Sequence, residues 1–179
     1  MDFLDRPIAI TDIETTGLDA STHEIIELAV VLVNQRTLEI LNTFETKVIF
    51  EHPELFGDKA KEVNGYEEED WVDAIPLVDA MDSYNEVVRE AVFCSQVITF
   101  DWPFIAAAYK KTGVPSDIDY HRLDIPSMTW IKLRKLGIEK LGLDAVSEFL
   151  KIAPEVKPHR AINGAMQAYK VLKILYNDF

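Results

Sequence analysis

Asp12 and Glu14 stand two residues apart in the apolar segment Ile8-Ala9-Ile10-Thr11-Asp12-Ile13-Glu14. On a strand, side chains alternate faces, so both carboxylates point to the same side. Two like charges this close repel unless a cation sits between them, and hard oxygen donors suit Mg²⁺ or Mn²⁺. Taken alone, an Asp-x-Glu pair is more often two solvated carboxylates at a strand end. The glycine turn that follows, Thr15-Thr16-Gly17-Leu18, lets backbone N–H groups approach a phosphate or sugar, which makes the combined string far more specific than its parts. Asp101 follows a second apolar run, Val97-Ile98-Thr99-Phe100, among the aromatics Phe100, Trp102 and Phe104. If that run lies beside the first, Asp101 joins the cluster. It can also cap the helix that follows. His159, between Pro158 and Arg160, is a candidate base for taking a proton from an attacking water. His23, His52 and His121 carry no such context, and Asp124 reads as a supporting residue. Three separated carboxylates and a histidine suggest phosphodiester hydrolysis, with two metal ions clamping the attacking and leaving oxygens. No Walker loop, Ser-His-Asp pattern or dinucleotide fingerprint competes.

The elements that must position these residues follow from periodicity. Ile8 to Glu14 reads as a buried strand, Ile25 to Asn34 as a second, and the alternating Leu38 to Ile49 as a third, so the chain opens as a meander. Residues 53–75 read as acidic and irregular, with a turn at Val63-Asn64-Gly65-Tyr66. Helical spacing runs from about Leu77 to Phe93 through Leu77, Met81, Tyr84, Val87, Val88 and Ala91. Gln96 to Phe100 is predicted as a short strand ending at Asp101, and Trp102 to Lys111 as a helix stopped by Gly113. A strand over Tyr120 to Ile125 and a helix from Pro126 to Leu136 precede Gly137; a short helix over Leu143 to Leu150 has Asp144 as its N-cap. A last helix runs from about His159 to Tyr176. Strands first, then strands alternating with helices, predict an α/β mixed sheet flanked by helices, in a single domain over residues 1–179.

Composition bounds the function. The chain has 179 residues, 48% of them hydrophobic, which excludes wholesale disorder. It has no apolar run long enough to span a bilayer and no signal-like start, and Cys94 is its only cysteine, so a soluble protein of the reducing cytoplasm is expected. The net charge of −13 argues against holding nucleic acid by broad phosphate neutralisation. Residues 45–90 hold 14 acidic and 4 basic groups, residues 91–179 only 9 acidic against 12 basic. Contact with nucleic acid should therefore be short, local and helped by divalent cations.

At these residues the sequence resembles the DEDDh (DnaQ-like) 3′–5′ exonucleases. Asp12-Ile13-Glu14-Thr15-Thr16-Gly17-Leu18 matches the first motif, Phe100-Asp101-Trp102-Pro103-Phe104-Ile105 the second, and His159-Arg160-Ala161 the third; Val63-Asn64-Gly65-Tyr66 resembles the family's early turn. The resemblance implies a ribonuclease-H-like fold, a five-stranded mixed sheet flanked by helices. It implies that Asp12, Glu14 and Asp101 hold two Mg²⁺ or Mn²⁺ ions, that His159 is the general base, and that Thr15, Thr16, Gly17, Leu18, Asn64 and Phe104 contact the terminal nucleotide. It implies 3′ ends of single-stranded DNA or RNA as substrate and nucleoside 5′-monophosphates as products, with a polymerase or a second copy of the chain as partner. Two positions depart from the pattern. The family's last motif places an aspartate five residues after the histidine, where this chain has Gly164, and its frequent His-Asn before the second motif is Gln96-Val97 here. The missing carboxylate supports a rival reading, a degenerate member that binds nucleic-acid ends or protein partners. On the nuclease reading, Gly164→Asp is expected to raise activity or metal affinity.

Overall fold

A computed structural model describes residues 2–155 and 158–177. The chain opens with three strands, β1 (Ile8–Thr15), β2 (Ile25–Val33) and β3 (Ile40–Lys47). Helices α1 (Asp58–Asn64) and α2 (Leu77–Val87) lead to β4 (Val92–Ser95), α3 (Ile98–Thr112), β5 (Arg122–Asp124) and α4 (Ile125–Leu133). Helices α5 (Leu143–Phe149) and α6 (Ala161–Asn177) follow. The strands form one mixed sheet in the order β3-β2-β1-β4-β5. β1 pairs antiparallel with β2, and β2 with β3, as the meander requires; β4 runs parallel to β1 and to β5. This is the five-stranded, helix-flanked α/β architecture expected.

The period-two pattern of β1 sorts its side chains between two apolar layers. Ala9 and Ile13, with Leu28 and Val30 of β2, pack against Met81 and Tyr84 of α2 and Ile105 and Ala108 of α3. Ile8 and Ile10, with Val31 and Val33, pack against Ala165, Ala168, Leu172 and Leu175 of α6. Each fully buried Ile, Leu or Val contributes about 1.5–3 kcal/mol of apolar burial. Thr11 faces the first layer, where its hydroxyl meets the Tyr84 hydroxyl at 2.7 Å, satisfying two buried polar groups together. The even-numbered face of β1 continues beyond Ile10 to Asp12 and Glu14, so the two carboxylates emerge on the side that α6 covers.

Several boundaries differ from the sequence reading. Val92–Ser95 is the strand and Ile98–Thr112 the helix, so Asp101 lies in the first turn of α3 and not at a strand end. The predicted helix from Leu77 stops at Val87, five residues before β4 begins. Gly142, not Asp144, stands at the N-cap of α5. The segment read as irregular holds α1 and a 3₁₀ turn at Glu68–Trp71, whose indole N–H donates to the Ile26 carbonyl at 3.2 Å. Gly113 ends α3 and Gly137 ends the 3₁₀ turn Arg134–Leu136 in the left-handed region, at φ 74° and 91°, where a side chain would be strained.

Candidate active site

β1 delivers Asp12 and Glu14 to the end of the sheet, where β4 gives way to α3. Glu14 is paired across the ladder with Glu27, and Asp12 with Ala29. Like charges directly opposite one another destabilise a sheet, so the Glu14–Glu27 pair needs compensation. Arg160 supplies part of it, with its guanidinium 3.6 Å from Glu27 Oε1. The other Glu27 oxygen, Oε2, accepts the Ala161 N–H at 3.0 Å, at the first residue of α6. A carboxylate at a helix N-terminus also meets the positive end of the helix dipole. Glu27 thus fixes α6 to the sheet and sets the position of His159 and Gly164 against β1.

α3 delivers Asp101 from the other side. Its first turn is held by Asp124, whose Oδ1 accepts the Ile98 N–H at 3.4 Å and whose Oδ2 accepts the Ser127 N–H at 2.9 Å. Asp124 therefore serves two helix starts, the supporting role expected of it.

Asp12, Glu14, Asp101 and His159 line one cavity of about 450 Å³ with Phe100, Gln96, Lys140, Gly164 and Glu155. A larger groove of about 580 Å³ is lined by Glu24, Glu51, His23 and His52, but there Lys111 pairs with both carboxylates. The 450 Å³ cavity is the candidate site because of its chemistry, not its size.

Sequence reasoning missed Glu155. Its side chain is 6% exposed, and Oε2 lies 3.1 Å from His159 Nδ1. Its Oε1 is buried with no hydrogen-bond partner among the described residues. An acidic residue four positions before the candidate base was the only available signal. Glu27, inside the apolar run of β2, gave no sign of a role.

The nucleotide-contact candidates fall elsewhere. Thr16 is fully buried and clasps the loop: its N–H donates to the Glu24 carbonyl, its hydroxyl accepts the Glu24 N–H, and its carbonyl accepts the Gly57 N–H, each at 2.9 Å. Thr15 Oγ1 donates to the Gly17 carbonyl at 2.7 Å. Gly17 is required by close approach, since a Cβ there would stand 2.1 Å from the His23 ring. Leu18 is 85% exposed. Asn64 is buried and donates to the Thr15 carbonyl at 3.3 Å, tying α1 to the end of β1. Phe104 lies in the core layer and lines the larger groove, while Phe100 takes the place beside the carboxylates. None of these six residues lines the 450 Å³ cavity.

The electrostatics are those of crowded anions. Asp12 keeps an opening to the cavity but is otherwise enclosed by protein. Its carboxyl is held well above the usual range by burial and then by Asp101, Glu14, Glu155 and Glu27. Burial raises Glu14 from 4.5 to about 8, with Glu27 and Glu155 adding to it and Arg160 opposing. Burial raises Asp101 from 3.8 to about 7 against the backbone N–H of Val97. An all-oxygen donor set, mutually repelling and with one orphaned carboxylate oxygen, fits a hard divalent cation in kind. As the side chains stand, no three acidic, histidine or cysteine groups among the described residues converge on a single ion position. Holding a cation would therefore require the carboxylates to turn inward.

The sheet order, the helix covering β1 and the acidic cluster at the strand end define an exonuclease-type domain. Residues 9–172 match the RNase_T family model, described as Exonuclease, and the chain belongs to that family. Divalent-metal binding is typical of the family. The chain is 28% identical over 163 residues to the PolC-type DNA polymerase III of Caldanaerobacter subterraneus, covering 90% of this chain and 11% of the polymerase, so it spans about a tenth of that relative. Among solved structures, the nuclease domain of 3′hExo, a DEDDh family member bound to rAMP, aligns with a TM-score of 0.72 at 21% identity, over 99% of this chain and 94% of that one. The zinc-bound E. coli exonuclease I–single-stranded DNA complex aligns with a TM-score of 0.81 at 11% identity, over 97% of this chain and 41% of that one. Likeness at this identity establishes the shared fold.

Proposed function

We propose that the chain is a metal-dependent 3′–5′ exonuclease. It hydrolyses the last phosphodiester bond of single-stranded DNA or RNA and releases nucleoside 5′-monophosphates. The observation that carries this reading is the meeting of Asp12, Glu14, Asp101 and His159, from three distant stretches of chain, around one 450 Å³ cavity.

Asp12, Glu14 and Asp101, which line the same cavity, would hold Mg²⁺ or Mn²⁺. Bound there, the ions would stabilise charge on the attacking and leaving oxygens and acidify water. The protein's own residues do the rest. His159 has Nδ1 engaged by Glu155, which leaves Nε2 to accept a proton from the attacking water. The new P–O bond forms as the bond to the 3′ oxygen breaks, and that oxygen leaves with a proton from solvent as the new 3′ hydroxyl. Phe100 offers an apolar wall against which a base can stack, and Lys140 a cation for the phosphate backbone. In an otherwise acidic chain this keeps the contact local. Single-stranded DNA, which E. coli exonuclease I holds in its complex, supports nucleic-acid ends as the ligand, and the PolC-type relative supports a polymerase as partner. The single, buried cysteine fits a reducing cytoplasm, and among the described residues no helix is long and apolar enough to cross a membrane.

Gly164 favours one second reading, an end-binding protein that cleaves slowly or not at all. Oligonucleotides carrying a 5′ label, incubated with the protein in Mg²⁺ and in Mn²⁺, separate the two. Stepwise shortening from the 3′ end, abolished by Glu14→Ala, is expected. Intact DNA and RNA with both metals would refute the nuclease and leave the end-binding protein.

A further inference from the structure

We propose that Glu155 supplies to the metal site the carboxylate that position 164 lacks. The inference rests on the nuclease reading above and concerns how its site is completed.

The two residues line the same cavity from different elements. Gly164 sits on α6 directly beneath Asp12: a Cβ there would stand 2.4 Å from Asp12 Oδ2 and 2.9 Å from its Cγ. The space an aspartate side chain would need on this face of α6 is therefore filled by the Asp12 carboxylate. Glu155 approaches from the segment before His159. Its side chain is nine-tenths buried, and its charge bears on both Asp12 and Glu14.

The two oxygens of Glu155 have different surroundings. Oε2 faces His159 Nδ1 at 3.1 Å. Oε1 is buried and has no partner among the described residues. A buried carboxylate oxygen without a donor is costly, and Asp12 and Glu14, on which the charge of Glu155 bears, are themselves carboxylates. Arg160 is engaged elsewhere, with Glu27, Asp70 and the Asn64 carbonyl. Lys140 also lines the cavity, but among the described residues no ion pair joins it to Glu155, whose one ionic partner is His159. What satisfies Oε1 and relieves its repulsion from Asp12 and Glu14 together is a divalent cation. Oε2 meanwhile holds His159 in one orientation, so a single side chain joins the metal site to the base. Carboxylate–histidine pairs of this kind are a recurrent device for fixing an imidazole.

The test is Mn²⁺ binding to the full chain, read by isothermal titration and by the paramagnetic resonance of free Mn²⁺, with no nucleic acid present. Glu155→Gln keeps the shape and a hydrogen-bond acceptor for His159 but removes the charge. It is expected to bind Mn²⁺ at least about tenfold more weakly than the wild type. Its melting temperature without metal should be equal or higher, because one of several crowded anions is gone. Glu155→Asp, charged but shorter, should fall between the two. Equal Mn²⁺ affinity in wild type and Glu155→Gln would overturn the role of Glu155 and leave the nuclease reading standing. So would a Glu155→Gln protein destabilised without metal and unchanged in affinity, the behaviour of a purely structural partner of His159. A wild type that binds no Mn²⁺ would overturn both.

Discussion

Removing protons from the crowded carboxylates should loosen the metal-free protein, and a divalent cation should reverse the effect. Glu14 holds its proton to about pH 8 in the folded chain but releases it near 4.5 when unfolded. Asp101 holds its own to about 7, against 3.8. Because the folded values are raised, the folded state binds more protons between these limits. The stabilisation is then fully present below the unfolded value and is lost as pH rises through the folded one. Between about pH 6 and about pH 8 the loss comes to about 2 kcal/mol for Glu14 and about 1 kcal/mol for Asp101. The two belong to one cluster with Asp12, so the measurable quantity is the total of about 3 kcal/mol. For a chain of this size that is a fall in melting temperature of roughly 5–10 °C. Calorimetry in chelator across the window reads it directly. With saturating Mn²⁺ the fall should vanish, since the cation favours the deprotonated forms, and Mn²⁺ affinity should rise towards tenfold per pH unit for each proton displaced. Glu14→Gln should remove most of the chelator-dependent slope. A melting temperature that stays level from pH 6 to 8 in chelator, or falls as steeply with Mn²⁺ present, would refute the reasoning.

Two substitutions probe the site further. His159→Ala should lower the single-turnover rate by about 10²–10⁴-fold while Mn²⁺ affinity stays within a few-fold; a matching loss of Mn²⁺ binding would make the histidine a ligand and not the base. Gly164→Asp, which the motif alone suggests should restore function, places its Cβ 2.4 Å from Asp12 Oδ2. Crowding at a packed position costs about 1–3 kcal/mol. Chemical denaturation should therefore show a less stable protein, and oligonucleotide cleavage no gain in rate; a more active, equally stable variant would show that Asp12 readily vacates that space.

Much of this architecture is legible in the sequence because it rests on local pattern. The three-strand meander follows from the apolar alternation of Ile8–Thr15 and Ile25–Val33, and Asp12 and Glu14 share a face by strand geometry alone. Asp101 shows where local pattern stops. Gln96-Val97-Ile98-Thr99-Phe100 is β-branched and aromatic and reads as a strand, yet Ile98–Phe100 form the first turn of α3. Asp124, 26 residues further on, accepts the Ile98 N–H there, and no window of sequence contains that contact. The slot beside β1 is taken instead by Val92–Ser95, four fully buried residues of which the helix read from Leu77 to Phe93 had claimed the first two. Glu155 was illegible for a related reason. It follows Ala153-Pro154 in a segment with no periodicity, and only the tertiary fold brings it to the cavity that Asp12 lines.

That position is itself set by an acid. Glu27 lies opposite Glu14 on the sheet and accepts the first N–H of α6, so one buried carboxylate both crowds the cluster and builds the wall that closes it. Removing Glu27 would relieve repulsion on Glu14 but release the helix that carries Gly164 and follows His159. The cluster and its scaffold therefore cannot be optimised apart. A strand end with Glu14 facing Glu27, Asp12 pressed on a helix glycine and an orphaned Glu155 oxygen breaks the usual rules of burial at several adjacent points. The surrounding core obeys them, from Ile10 and Val31 on one face to Tyr84 and Thr11 on the other. Local inconsistency confined to one cavity in an otherwise consistent fold is the physical signature of a site shaped for a ligand, and here the shared remedy for every violation is positive charge.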